Sequence, residues 1–176
     1  MKFTVTAGHG GRDPGAVAAD GTTEAAIVTE LRDIVAGKLR GLGHAVRTDG
    51  GLLTNLPLVH ALTLVPGADL AIELHCNASE SRAARGVEVV SLHAQVEQAR
   101  TIARKIAHVL ETPVRGAGGW IDQRQSARGR LGFVRLGGLV VECFFLSNPE
   151  ELAKYEARKW RVATSIVEAI TGGGAA

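Results

Sequence analysis

A single carboxylate inside an otherwise apolar run constrains this chain most. Leu139-Val140-Val141-Glu142-Cys143-Phe144-Phe145 is continuously hydrophobic apart from Glu142, the pattern of a strand buried on both faces of a largely parallel sheet. An ionisable side chain in such a strand must be paired, liganded or protonated. Glu142 is therefore a candidate for chemistry as well as a marker of the fold.

The rest of the chain supplies the layers that such a strand needs. Lys2 to Ala7 reads as a first strand, followed by a glycine-rich loop over 8–21. Thr22 and Thr23 can cap a helix that starts near Glu24, with a stripe of Ile27, Val28, Leu31, Ile34, Val35 and Leu39, ended by Gly41 and Gly43. His44–Thr48 reads as a second strand, Leu58–Val65 as a short helix stopped by Pro66-Gly67, and Asp69–His75 as a third strand with Cys76–Ser79 as loop. Gly86–Ser91 reads as a fourth strand and 95–111 as an amphipathic helix, whereas 112–130 has no clear period. Leu131–Leu136 reads as a short strand. Ser147-Asn148-Pro149-Glu150 has the S-x-x-E capping spacing at the start of a last helix. Strands alternating with helices predict an α/β fold: a single domain with a mostly parallel, twisted sheet of about six strands flanked by helices. It is expected to span 1–171, with 172–176 as a disordered tail. The chain has four Phe, two Trp and one Tyr, so the core must be aliphatic.

Two histidines join Glu142 as residues that end or interrupt apolar strands. His9 lies among the glycines of Gly8-His9-Gly10-Gly11-Arg12-Asp13-Pro14-Gly15, just past the first strand, and His75 closes the third. In a parallel sheet the C-terminal strand ends share one edge, where α/β proteins place their ligands, and Glu24 at a helix start can reach it. Two imidazoles and a carboxylate with an open fourth position form a ligand set of catalytic zinc, and a second carboxylate would then serve as the base. Plainer readings stand beside this one. Glu24 suits any helix N-terminus, and His75 has the setting of a hydrogen-bonded core histidine. The loop lacks the GK[ST] ending of a phosphate-binding loop, and Asp13 occupies the place of the third dinucleotide-fold glycine. His44 and His108 read as surface residues, and His60 and His93 have no assigned role.

Other function classes are disfavoured. A net charge of +2 is too small to imply nucleic-acid binding. No apolar run approaches a membrane span, and the N-terminus enters the first strand with no secretory signal. Cys76 and Cys143 form neither a disulfide framework nor a CxxC zinc site and read as buried free thiols.

With these motifs in order, the chain resembles the zinc-dependent N-acetylmuramoyl-L-alanine amidases of bacterial cell walls and phage endolysins. Gly8-His9-Gly10-Gly11-Arg12-Asp13-Pro14-Gly15-Ala16 is similar to that family's opening zinc-histidine motif, and Glu24 falls at its glutamate ligand. Leu74-His75-Cys76-Asn77-Ala78 resembles the S-x-H-x-N-A motif, and Gly86-Val87-Glu88-Val89 the G-x-E strand. Val141-Glu142-Cys143-Phe144-Phe145-Leu146-Ser147-Asn148 resembles the closing E-x-x-F-x-S-N segment with its catalytic glutamate. Departures fall on the substrate side. Glu73 stands where serine is usual, His60 lies about where arginine is common, and the Thr-Arg-x-x-Asp segment after the second strand is missing.

The resemblance implies hydrolysis of the amide between N-acetylmuramic acid and L-alanine in peptidoglycan. One zinc ion per chain would be held by His9, Glu24 and His75, with Glu142 as the proton carrier. Asn77 and Arg115 are candidate substrate contacts, and the Arg-rich loop of Arg115, Arg124 and Arg128 could meet stem-peptide carboxylates. The short link between the fourth strand and the 95–111 helix leaves no room for an autoinhibitory helix, so the site is expected to stay open. A lone catalytic domain without a signal peptide suggests a monomeric endolysin, made in the bacterial cytoplasm and released to the wall by a holin. The alternatives are a non-catalytic peptidoglycan-binding module and a zinc peptidase or deacetylase acting on another amide.

Overall fold

The computed structural model describes residues 1–126 and 131–172. In chain order the elements are β1 (Lys2–Ala7), α1 (Glu24–Gly41), β2 (Ala45–Arg47), α2 (Leu58–Leu64), β3 (Leu70–Asn77), β4 (Glu88–Ser91), α3 (Val96–Leu110), β5 (Trp120–Asp122), α4 (Gly132–Arg135), β6 (Leu139–Phe145) and α5 (Pro149–Thr171). The six strands form one sheet in the order β2-β1-β3-β6-β4-β5. β2, β1, β3 and β6 run parallel. β4 pairs antiparallel with β6, and β5 follows β4. The start of β4 therefore lies beside the end of β6, at the edge where β1 and β3 also end.

Alternation along each strand sorts side chains onto two faces. Val5, Ile72, Leu74, Val141 and Cys143 face the larger core, closed by α1, α3 and α5. Ala71, Val90 and Val140 face a smaller core, covered by Ala61 of α2 and by Phe133 and Val134 of α4. Phe144 stacks on Tyr155 of α5, with centroids 4.8 Å apart and planes at 17°. Cys76 and Cys143 are buried free thiols, as their surroundings led us to expect.

The helix ends follow local chemistry. The Thr23 hydroxyl accepts from the Ala26 amide at 3.2 Å and caps α1. α5 is capped one residue later than the S-x-x-E spacing predicts. Asn148 Oδ1 accepts from the amides of Glu150 and Glu151, while the Ser147 hydroxyl accepts from the Ser79 amide instead.

Besides one- or two-residue trims at the ends of β2 and β4, three elements differ from expectation. Leu131–Leu136 holds the short helix α4, not a strand: Phe133 and Val134 need only one turn to cover the smaller core, and a brief apolar run fits either period. The sixth strand is β5, three residues inside a glycine-rich stretch, too short to show alternation. β3 runs on through Cys76 and Asn77, past its expected end at His75. Arg128 and residues 173–176 lie outside the described residues, and Gly172 is the left-handed cap of α5 (φ 72°). Among the described residues no helix is long and apolar enough to cross a membrane.

Candidate active site

One row of the sheet builds half of the site. His75 of β3 is in register with Glu142 of β6, and Glu142 with Glu88 of β4. On the other side of β3, the Gly8 amide donates to the Leu74 carbonyl at 2.7 Å. Neighbours in register point to the same face, so Gly8, His75, Glu142 and Glu88 form a line across four strands. The glycine is required, because a Cβ on Gly8 would overlap the His75 ring. His75 and Glu142 are both buried.

The loop after β1 builds the other half. His9 takes a left-handed backbone conformation (φ 63°), uncommon for a residue with a side chain. Asn55 holds it there: its Nδ2 donates to the carbonyl oxygens of Ala7 and His9. Asn55 is fixed in turn by Arg32, a fully buried arginine of α1. Arg32 donates to Asn55 Oδ1, to the Gly51 and Thr54 carbonyls and to the buried Asp49 carboxylate. The loop also closes over Gly15 (φ 65°), where a Cβ would come within 2.7 Å of both Glu24 and the His9 ring.

Glu24 joins the two halves. Its Oε1 lies 3.0 Å from His75 Nδ1 and accepts from the Cys76 amide at 2.9 Å. Its Oε2 lies 3.0 Å from His9 Nε2 and accepts from the Ala16 amide at 3.1 Å. The His9–Glu24 approach has no hydrogen-bond geometry, so these atoms are close without being aimed at each other. One donor atom from each of His9, Glu24 and His75 lies within 4.8 Å of the others, an arrangement that could hold a metal ion.

The outer nitrogens are also engaged. His9 Nδ1 is 2.8 Å from Asp13 Oδ2, and His75 Nε2 is 3.2 Å from Glu73 Oε2. Burial works to lower the pKa of His75, but the bonds to Glu24 and Glu73 and the charges of Glu142 and Glu73 outweigh it and raise it to about 10. Burial likewise works to raise the pKa of Glu24, and the two imidazoles overcome it and hold the carboxyl well below its usual range. The contact with Glu24 raises the pKa of His9. Four carboxylates thus surround two imidazoles: Asp13, Glu24, Glu73 and Glu142. That surplus of negative charge, with two nitrogens and one oxygen converging, suits a divalent cation.

Asn77 and Arg115 sit at the rim and meet at one carboxylate. Asn77 Nδ2 donates to Glu88 Oε1 at 3.0 Å, and Arg115 Nε to Glu88 Oε2 at 2.7 Å. The Arg115 guanidinium also lies over the Phe145 ring, 4.8 Å from its centroid. Arg124 is engaged elsewhere, with Asp122. His44 and His93 pack edge-on against Phe3 and Trp120; neither these nor His60 and His108 joins the cluster. Sequence reasoning gave no role to Asp13, Asn55 or Glu88 and read Glu73 as a substrate-side departure in a loop, whereas Glu73 is buried within β3 and bonded to His75. Asp13 was accessible as the residue four after His9, and Glu88 as the acid in the G-x-E strand. A cavity of about 350 Å³ opens onto the cluster, lined in part by His9, His75, Glu73, Leu58, Leu131 and Val140.

A mostly parallel α/β sheet carrying two histidines and a set of carboxylates at its C-terminal edge defines a class of hydrolase-like scaffolds. Comparison with known proteins narrows the class. The family model for N-acetylmuramoyl-L-alanine amidase matches residues 4–172, and the chain belongs to that family. No curated protein matches it. Among solved structures, a protein of Neisseria meningitidis assigned as an N-acetylmuramoyl-L-alanine amidase is 34% identical, with a TM-score of 0.89 over 97% of this chain and 94% of that one. The N-acetylmuramoyl-L-alanine amidase of Clostridium difficile 630 shares the fold at 22% identity, with a TM-score of 0.82 over 97% and 95% of the two chains. The catalytic domain of the CD27L endolysin, which targets Clostridium difficile, shares it at 24% identity, with a TM-score of 0.80 over 100% and 99%.

Proposed function

We propose that the protein cleaves the amide between N-acetylmuramic acid and L-alanine in peptidoglycan. In this reading His9, Glu24 and His75 hold one zinc ion per chain, and Glu142 is the catalytic acid–base residue. The observation that carries it is the convergence of His9 Nε2, His75 Nδ1 and the Glu24 carboxylate, beside a buried Glu142 in register with His75. When bound, the ion supplies Lewis acidity that polarises the scissile carbonyl and acidifies water in the site. Glu142 takes a proton from the attacking water and returns it to the departing amine of L-alanine. Glu88 shares its two oxygens between Asn77 and Arg115, which leaves that pair at the rim to meet the glycan or stem peptide.

Digestion of purified peptidoglycan, read by mass spectrometry, tests the reaction. The expected products are new L-alanine amino ends and intact disaccharides. Other amino ends would point to a peptidase, released acetate to a deacetylase, and sedimentation with the wall without cleavage to a binding module. Elemental analysis should give one zinc per chain, and a chelator should abolish hydrolysis. One chain supplies all four side chains, which supports action as a monomer. Four residues separate β4 from α3, which supports a site that stays uncovered. The narrower role of an endolysin released by a holin is tested by expressing the chain in a host with and without a holin and following lysis.

A further inference from the structure

Glu73 is a carboxylate of the cluster with no part in the proposed reaction. Glu73 lies two residues before His75 on the same face of β3, in register with Thr6 and Val140. It faces the smaller core and is 3% exposed. A carboxylate is seldom kept in such a place unless something needs it. Its Oε2 is 3.2 Å from His75 Nε2, and its Oε1 has no hydrogen-bond partner among the described residues. The bond to His75 is thus the hydrogen bond that offsets the burial of this group among the described residues.

We propose that Glu73 is a positioning residue for His75: its carboxylate accepts from the Nε2 hydrogen and so directs the Nδ1 lone pair at the cation. The inference rests on the metal reading given above. An imidazole with its hydrogen held on one nitrogen offers the other as a ligand, and a carboxylate acceptor also strengthens that ligand. Nδ1 is the nitrogen that faces Glu24. His9 shows the same logic with the atoms exchanged: Asp13 engages Nδ1, and Nε2 faces Glu24. Each histidine therefore has one nitrogen toward the shared centre and one tied to a carboxylate behind it.

The test is zinc affinity, measured by competition with a fluorescent chelator on the full chain. Glu73→Ala should weaken zinc binding by about 10–100-fold. Glu73→Gln, whose amide oxygen can still accept from Nε2–H, should recover most of that loss. Melting of the metal-free proteins should be similar for all three, which a merely structural role would not give. Nitrogen-15 NMR of the zinc-loaded wild type should show His75 bound through Nδ1 and protonated at Nε2. If Glu73→Ala does not fold, the NMR assignment and Glu73→Ser decide. Equal zinc affinity in wild type and Glu73→Ala, or zinc on Nε2, overturns the role of Glu73 alone. A wild type that binds no zinc overturns both this role and the metal reading.

Discussion

His75 and His9 reach the same carboxylate from two different kinds of backbone. His75 stands on β3 in the middle of the sheet, where register with Glu142 and the bare backbone of Gly8 set its place. His9 stands on a loop with a left-handed backbone, held through Asn55 by a buried arginine from another element. A strand places a ligand through hydrogen bonds it would make anyway. A loop must import its rigidity, here from the Arg32–Asp49–Asn55 network. Perturbing the sheet half should therefore act locally and steeply, whereas perturbing the loop half should act through stability as well.

Glu142→Gln gives the largest expected effect and separates chemistry from metal holding within the sheet half. Loss of a general acid–base group costs roughly 10²–10⁴-fold in rate, so kcat should fall by that order while zinc content stays at one per chain. Hydrolysis at the wild-type rate would remove Glu142 from the reaction. Gly8→Ala comes next. The added methyl would overlap the His75 ring, and overpacking of this kind costs about 1–3 kcal/mol. Zinc affinity should fall by an order of magnitude or more as the ring is displaced. Unchanged affinity would show that register does not place His75.

Asn55→Ala tests the loop half. It removes the donor to the Ala7 and His9 carbonyls and the Oδ1 that accepts from buried Arg32. Unmet buried hydrogen bonds cost about 1–3 kcal/mol, so the melting temperature should drop, with a smaller loss of zinc affinity than Gly8→Ala. A larger loss of affinity than in Gly8→Ala would reverse the comparison.

The same contrast explains what was legible before the fold was seen. His75 and Glu142 announce themselves because each breaks or ends an apolar run, and Thr23 and Gly43 mark the ends of α1 by their chemistry. His9 is visible through its glycines. The support behind these residues is hidden for a physical reason. In Ile72-Glu73-Leu74 the acid alternates with apolar residues as an outward-facing residue would, yet it lies buried on the face of the smaller core. Asn55 and Arg32 lie in a polar loop and a charged helix, and their value depends on contacts across dozens of residues. β5 and α4 are one turn or less of chain each, below the length at which period separates helix from strand.

The smallest expected effect belongs to the rim, and it sharpens the comparison by asking whether the sheet row extends beyond catalysis into recognition. Arg115 pairs with Glu88, the last member of the row, and about two-fifths of its side chain is open to solvent (43%). A surface pair of this kind adds little to stability, so Arg115→Ala should leave melting nearly unchanged. Its guanidinium is anchored on Phe145 and Glu88 yet still accessible, the condition for gripping a carboxylate of a stem peptide. The expected outcome is a several-fold rise in KM with kcat held within about twofold, since uniform binding is what is removed. Arg115→Lys should recover only part of the loss, because an ammonium cannot reproduce the planar fork. If kcat falls and KM does not move, Arg115 acts through Glu88 on Glu142. The row from Gly8 to Glu88 would then be one electrostatic unit, with no separate rim for recognition.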